Sequence, residues 1–258
     1  MFIHQAGFHR RGIRAVLTSI MFLLFAGAAH ASIVIDGTRV IYPEQSAEVS
    51  VRLTNKSEQP KLIQAWIDDG NEKSSPEQID VPFAILTPIF RMEAGKGQVL
   101  RIRYTKTKPL PKDRESVFWL NVLEIPAKPK TDTTTDNYLQ FSFRTRIKLF
   151  LRPDGLPGSA AQAPEQLTWK YKPGALQVTN PTAFNVSIKR VKVGRAAEGG
   201  SAEGFMVAPF STTNIALEKA TTEQADPQLF VYPVNDFGGT PELKSSATKT
   251  PFASVTQP

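Results

Sequence analysis

Residues 137–153, NYLQFSFRTRIKLFLRP, alternate apolar and polar side chains with a period of two. That period belongs to a β-strand and not to a helix. Leu139, Phe141, Phe143, Thr145, Ile147 and Leu149 share one face, and Gln140, Ser142, Arg144, Arg146 and Lys148 share the other. The steps from Leu139 to Leu149 cover roughly 33 Å, where a mean strand has about 5–6 residues. A chain with so long a strand must build a sheet around it. Two readings are open: a half-buried strand of an antiparallel sheet, or a strand that offers its apolar row and free backbone to a second protein. Lys148 has the opposite parity to Phe141, so a twist, a bulge or a turn must intervene if both serve one groove.

The segments before this strand read as more strands. Residues 33–35 and 39–42 are short β-like runs separated at Asp36-Gly37, which predicts a bend or a strand switch. In residues 47–55 Val49, Val51 and Leu53 point in, and Glu48, Ser50 and Arg52 point out. Residues 62–68 form another strand, whose Trp66 is expected to anchor the core between two sheets. Pro88, inside the apolar run 83–91, requires an edge, a bend or a cis bond. Residues 93–97 read as a turn, and 100–104 as a strand. Residues 117–125, VFWLNVLEI, are nearly continuous in apolar residues, as a strand covered on both faces would be. Residues 127–136 form a polar loop that leads into the long strand. About seven strands without a helix predict an all-β, immunoglobulin-like sandwich.

Residues 153–158, PDGLPG, read as a hinge. Beyond it, strands are expected at 167–171, 176–180, 186–193, 205–210, 213–216 and 229–234. Residues 198–203 are expected to be a flexible loop, and the tail after Leu243 a loose one. The organisation is therefore a signal peptide at 1–31, an N-terminal immunoglobulin-like domain at 32–153 and a second β-sandwich at 154–258.

The signal peptide rests on Arg10, Arg11 and Arg14, an apolar run at 15–29, and Ala29-His30-Ala31 as a cleavage site. Its removal takes all three histidines; the chain has no cysteine. Without His or Cys the mature chain builds neither a Ser-His-Asp nor a Cys-His site, and it lacks the usual zinc ligands. No cofactor is expected, and the chain is not expected to be an enzyme. Three of the 31 Lys+Arg and none of the 24 acids lie in the leader, so 28 cations against 24 acids leave +4. That mild, scattered excess gives no support to a nucleic-acid role. No other stretch is apolar and long enough to span a membrane.

Several separated stretches resemble one family, the periplasmic chaperones of chaperone–usher pili, of the Pap type. They are residues 38–43 (TRVIYP), 86–91 (LTPIFR) with 95–98 (GKGQ), 113–126 (DRESVFWLNVLEIP), 146–153 (RIKLFLRP), 178–182 (VTNPT), 208–211 (APFS) and 234–238 (VNDFG). The resemblance implies two immunoglobulin-like domains set at an angle with a cleft between them. It implies a function as well: binding pilus or fimbrial subunits by donor-strand complementation, an established mode of β-augmentation, and delivering them to an outer-membrane usher. The donated side chains match Leu139, Phe141 and Phe143. The cations that hold the subunit's C-terminal carboxylate match Arg39 and Lys148. An interdomain salt-bridge set matches Glu115, Arg152 and Asp236. The short loop before the strand and the lack of cysteines are similar to the short-loop branch. The sticky strand predicts self-association of the free protein. The alternative is an exported tandem-sandwich adhesin or structural fibre component.

Overall fold

Branched and aromatic residues at alternate positions, punctuated by Gly, Pro and Asn, produce strands almost throughout. The computed structural model describes residues 32–126, 139–172, 174–194, 200–218 and 227–248. The signal peptide and the loop at 127–136 lie outside them. Nine strands come first: β1 (Ile33–Ile35), β2 (Arg39–Pro43), β3 (Val49–Asn55), β4 (Lys61–Asp68), β5 (Phe83–Ile85), β6 (Ile89–Met92), β7 (Gly97–Tyr104), β8 (Ser116–Pro126) and β9 (Phe143–Arg152). They form a four-stranded sheet, β1-β3-β7-β5, and a five-stranded sheet, β2-β9-β8-β4-β6.

The chain crosses between the two sheets where the sequence breaks. Gly37, at φ 107°, lies between β1 in the first sheet and β2 in the second. Pro88 lies between β5 and β6, which belong to different sheets, and no peptide bond among the described residues is cis. Inward residues of both sheets form one core, including Tyr42, Leu53, Ile63, Leu100, Ile102, Leu120, Leu149 and Leu151. Tyr42, fully buried, keeps its hydroxyl satisfied: it donates to the Ser46 carbonyl and accepts from the Tyr104 N–H.

Trp66 does not anchor this core. Ile63, Ala65 and Ile67 take the inward positions of β4, which leaves Trp66 on the outer face, under the Arg144 guanidinium at 5.8 Å. Period-two alternation fixes this, because a residue flanked by two inward neighbours must point out.

Seven more strands follow: β10 (Thr168–Lys172), β11 (Ala175–Asn180), β12 (Val186–Val193), β13 (Ser201–Val207), β14 (Ser211–Ala216), β15 (Gln228–Pro233) and β16 (Leu243–Thr248). They form one sheet in the order β13-β12-β15-β16-β10-β11-β14 around a second core that includes Trp169, Tyr171, Leu176, Val178, Ile188, Val191 and Leu229. Two expectations fail here. Ser201 and Glu203 belong to β13 and not to a loop, because β12 pairs with them. The tail after Leu243 is strand β16 as far as Thr248, antiparallel to β15 and parallel to β10, with Ala247 in the core; residues 249–258 lie outside the described residues.

The two halves share a polar device. Asn55 is fully buried; its amide donates to the Gln59, Met92 and Glu93 carbonyls while its oxygen accepts from Ser57. Asn180 does the same with the Phe184, Val207 and Ala208 carbonyls and with Thr182. Each satisfies backbone groups that a turn would otherwise bury unpaired. Among the described residues no helix is long and apolar enough to cross a membrane.

Candidate functional site

The site is organised by where β9 has partners and where it has none. β8 pairs with it in unbroken antiparallel register from Ser116↔Leu151 to Glu124↔Phe143. β2 pairs with it in parallel only from Arg39↔Lys148 to Pro43↔Arg152. From Phe143 to Ile147 the β2-side edge therefore has no strand beside it among the described residues. Residues 139–142 belong to no strand, which corrects the expectation of one strand from 137. The β8–β9 ladder stops at Glu124↔Phe143, although β8 itself runs on to Pro126, where it pairs with β4.

Leu139, Phe141 and Phe143 are 79%, 61% and 61% exposed, with the two phenylalanine rings 6.5 Å apart. They continue, past the end of the sheet, the row whose inner members Leu149 and Leu151 fill the core. Lys148 points the other way, toward the second domain. No bulge interrupts the β8–β9 register, so the apolar row and Lys148 occupy opposite faces of one strand.

Arg39 and Lys148 are direct register partners on β2 and β9. Each is tied to the second half of the chain: Arg39 Nη1 donates to the Val234 carbonyl at 2.8 Å, and Lys148 Nζ donates to Ser187 Oγ at 3.0 Å. Both line a cleft of about 450 Å³ that also contacts Ile188, Gly204 and Phe205. Neither forms a salt bridge among the described residues. Burial, and then the neighbouring Arg39 charge, holds the Lys148 ammonium below the ordinary lysine range. Burial lowers Arg39 as well, only partly opposed by Asp236 and Glu115. Two part-buried cations thus stand side by side, each with a neutral oxygen as its hydrogen-bond partner.

Behind them Arg152 joins the two halves. Its Nε donates to Glu115 Oε1 at 2.6 Å, and its Nη1 and Nη2 donate to Asp236 at 2.8 and 3.2 Å. Glu115 is 4% exposed and also accepts from the Asn185 N–H. Burial pushes its carboxyl up, against the pull of Arg152. The turn carrying Asp236 lies against Thr38, just before β2, since a Cβ at Gly238, whose φ is 84°, would come within 2.7 Å of Thr38 Oγ1. The structure thus brings Glu115, Arg152 and Asp236 together, and brings Arg39 beside Lys148. Sequence reasoning missed Ser187 and the Val234 carbonyl, the tethers of the two cations. One signal was present: Ser187 is a small hydroxyl residue between Val186 and Ile188, and all three are buried.

Comparison with known proteins points one way. The family described as "Pili and flagellar-assembly chaperone, PapD N-terminal domain" matches residues 32–157, and "Pili assembly chaperone PapD, C-terminal domain" matches residues 162–245. The chain is 43% identical to the chaperone protein FimB/FhaD of Bordetella pertussis over 91% of its own length and 96% of the relative's. It is 41% identical to the probable fimbrial chaperone YadV of Escherichia coli over 84% of this chain and 90% of that one. The crystal structure of YadV superposes with a TM-score of 0.72 at 40% identity, covering 84% of this chain and all of the other. A structure of the Salmonella enterica SafA pilin in complex with the SafB chaperone gives 0.70 at 27% identity, covering 86% of this chain and 98% of the matched one.

Proposed function

Since this chain belongs to the PapD family of pilus-assembly chaperones, we propose that it captures incomplete pilus or fimbrial subunits in the periplasm and passes them to an outer-membrane usher. The observation that supports this reading is the edge of β9 left without a strand beside it among the described residues, beginning next to two cations that form no salt bridge among those residues.

A subunit's C-terminal carboxylate binds Arg39 and Lys148, displacing the Val234 carbonyl and the Ser187 hydroxyl as their partners. Hydrogen bonds to charged groups contribute roughly 1.5–3 kcal/mol each. With its terminus held there, the subunit's last strand runs parallel to β9, from the Leu139 end toward Lys148. Its backbone pairs with the open edge at residues 143–147. Leu139, Phe141 and Phe143 fill the groove left by the strand the subunit lacks. Burying each contributes roughly 1.5–3 kcal/mol before ordering costs. Donated phenylalanines require wider client pockets than leucine or isoleucine would. The Glu115, Arg152 and Asp236 set holds the two domains, 32–153 and 154–258, in the orientation that keeps the cleft open to a client.

Export by the leader at 1–31 supports the periplasmic location, and the absent cysteines support the short-loop branch. The proposed work is binding and not turnover. An adhesin or fibre component would have no use for two desolvated cations held only by neutral oxygens. The test is co-production with a pilus subunit and pull-down of the complex. A one-to-one soluble complex is expected with the wild type and a loss of it with Lys148→Ala; equal recovery from both would sink the carboxylate anchor.

A further inference from the structure

A third cation, Lys189, lines the cleft together with Arg39 and Lys148. A β-bulge puts it there. Val186, Ile188, Val191 and Val193 of β12 are core residues, so the alternation of this strand breaks once, between Ile188 and Val191. The break coincides with a register shift against β15: Ile188 pairs with Pro233 and Arg190 with Tyr232, which leaves Lys189 without a residue opposite it. A bulge re-aims the side chains of its strand. Lys189 and Arg190 therefore both turn away from the core, to the face on which Ser187 accepts from Lys148.

Only one of these neighbours is neutralised. Arg190 is paired with Glu203, the one acidic residue on the cleft lining, whereas the exposed Lys189 forms no salt bridge among the described residues. On β13, between the partners of Ile188 and Arg190, stands Gly204 at φ 69°. It brings no side chain over the lysine, and a Cβ there would meet nothing within 4 Å, so the space beside Lys189 is open. A client's terminal carboxylate engages Arg39 and Lys148, which leaves the third cation for a second anionic group. The client's last strand, laid beside β9, alternates its side chains between the two faces of the sheet. One of its last two side chains therefore lies on the Lys148 face, which looks onto β12. We propose that Lys189 is a specificity-determining residue of the cleft, pairing with an aspartate or glutamate at whichever of the client's last two positions lies on that face. The inference rests on the function proposed above and adds to it a client whose tail carries an acidic side chain besides its terminal carboxylate.

The probe is a short synthetic peptide of alternating valine and threonine with a free-acid terminus, made with Glu or Gln at its last or next-to-last position and titrated into the mature chain by calorimetry. At one of the two positions Glu is expected to bind about two- to fivefold tighter than Gln, the yield of an exposed ion pair. The preference fades as salt is raised toward about 0.5 M, because the lysine is exposed to screening. Lys189→Gln abolishes the preference, and Lys189→Glu inverts it. The same peptides made as C-terminal amides report on the carboxylate anchor separately. Discrimination of acid from amide without discrimination of Glu from Gln overturns this inference alone; discrimination of neither overturns it together with the anchor. An equal preference for Glu at both positions, or one that survives unchanged in Lys189→Gln, overturns it as well.

Discussion

Arg39 and Lys148 face each other across a parallel strand pair, and each reaches out of its own sheet to an oxygen in the other half of the chain. Neither oxygen is charged. Both cations therefore keep a capacity for a stronger partner than the one they hold, and the pair is poised for exchange rather than locked.

Replacing either cation separates capture from folding. Lys148→Ala and Arg39→Ala are each expected to weaken subunit binding by about 10–100-fold, the equivalent of one charged hydrogen bond. Lys148→Ala leaves the melting temperature unchanged or raises it, because it removes a desolvated charge. Titration of a subunit's free-acid C-terminal peptide, with the peptide amide as control, checks this. An equal affinity for acid and amide contradicts it.

Phe141→Glu and Phe143→Glu are expected to abolish capture while leaving stability within about 0.5 kcal/mol, because both rings are mostly exposed in the free protein. Circular dichroism melting against pull-down yield measures the two effects separately. A large drop in melting temperature would mean that the rings serve their own core instead.

Arg152→Ala leaves Glu115 buried without its guanidinium, and breaking such a pair from one side costs about 3–5 kcal/mol. The double variant Arg152→Met with Glu115→Gln is expected to be milder than Arg152→Ala alone, since no uncompensated charge is left. Urea unfolding of the two variants side by side decides the order.

Burial and the Arg39 charge hold the Lys148 pKa below the ordinary lysine value. Between that lowered pKa and the unfolded one near 10.4 the unfolded chain binds more protons, so this lysine's contribution to stability rises with pH through that window. The proposed carboxylate binding is expected to have the opposite dependence: it needs the ammonium and should fade as pH climbs through the lowered pKa. NMR titration of a 13C-dimethylated Lys148 is expected to show a midpoint under that of exposed lysines, returning upward when the free-acid peptide is added.

Alternation made much of this legible. The parity of residues 139–149 put Leu139, Phe141 and Phe143 on one face with the buried Leu149 but left open whether that face was covered, and Asp36-Gly37 and Pro88 marked places where the chain changes sheets. The extent of β9 was not legible, because a strand ends where its pairing stops, and the β8 ladder stops at Glu124↔Phe143. β16 was hidden by its chemistry: Ser245 and Ala247 are too small to announce a buried face, and pairing with β15 and β10 makes the strand. Trp66 misled by its size, although its parity against Ile63, Ala65 and Ile67 gave the right answer. The cations were read from matched motifs, but their tethers on Ser187 and Val234 come from a distant part of the chain that only folding brings near.

The uninterrupted β8–β9 ladder carries a last consequence. Spacing between Phe143 and Lys148 is an odd number of residues in a strand without a bulge, so the two are bound to look in contrary directions. A leucine substituted for Phe141 would still meet a client. One residue added anywhere between Phe143 and Lys148 would turn the hydrophobic row toward the neighbouring domain, and no choice of side chain could repair it.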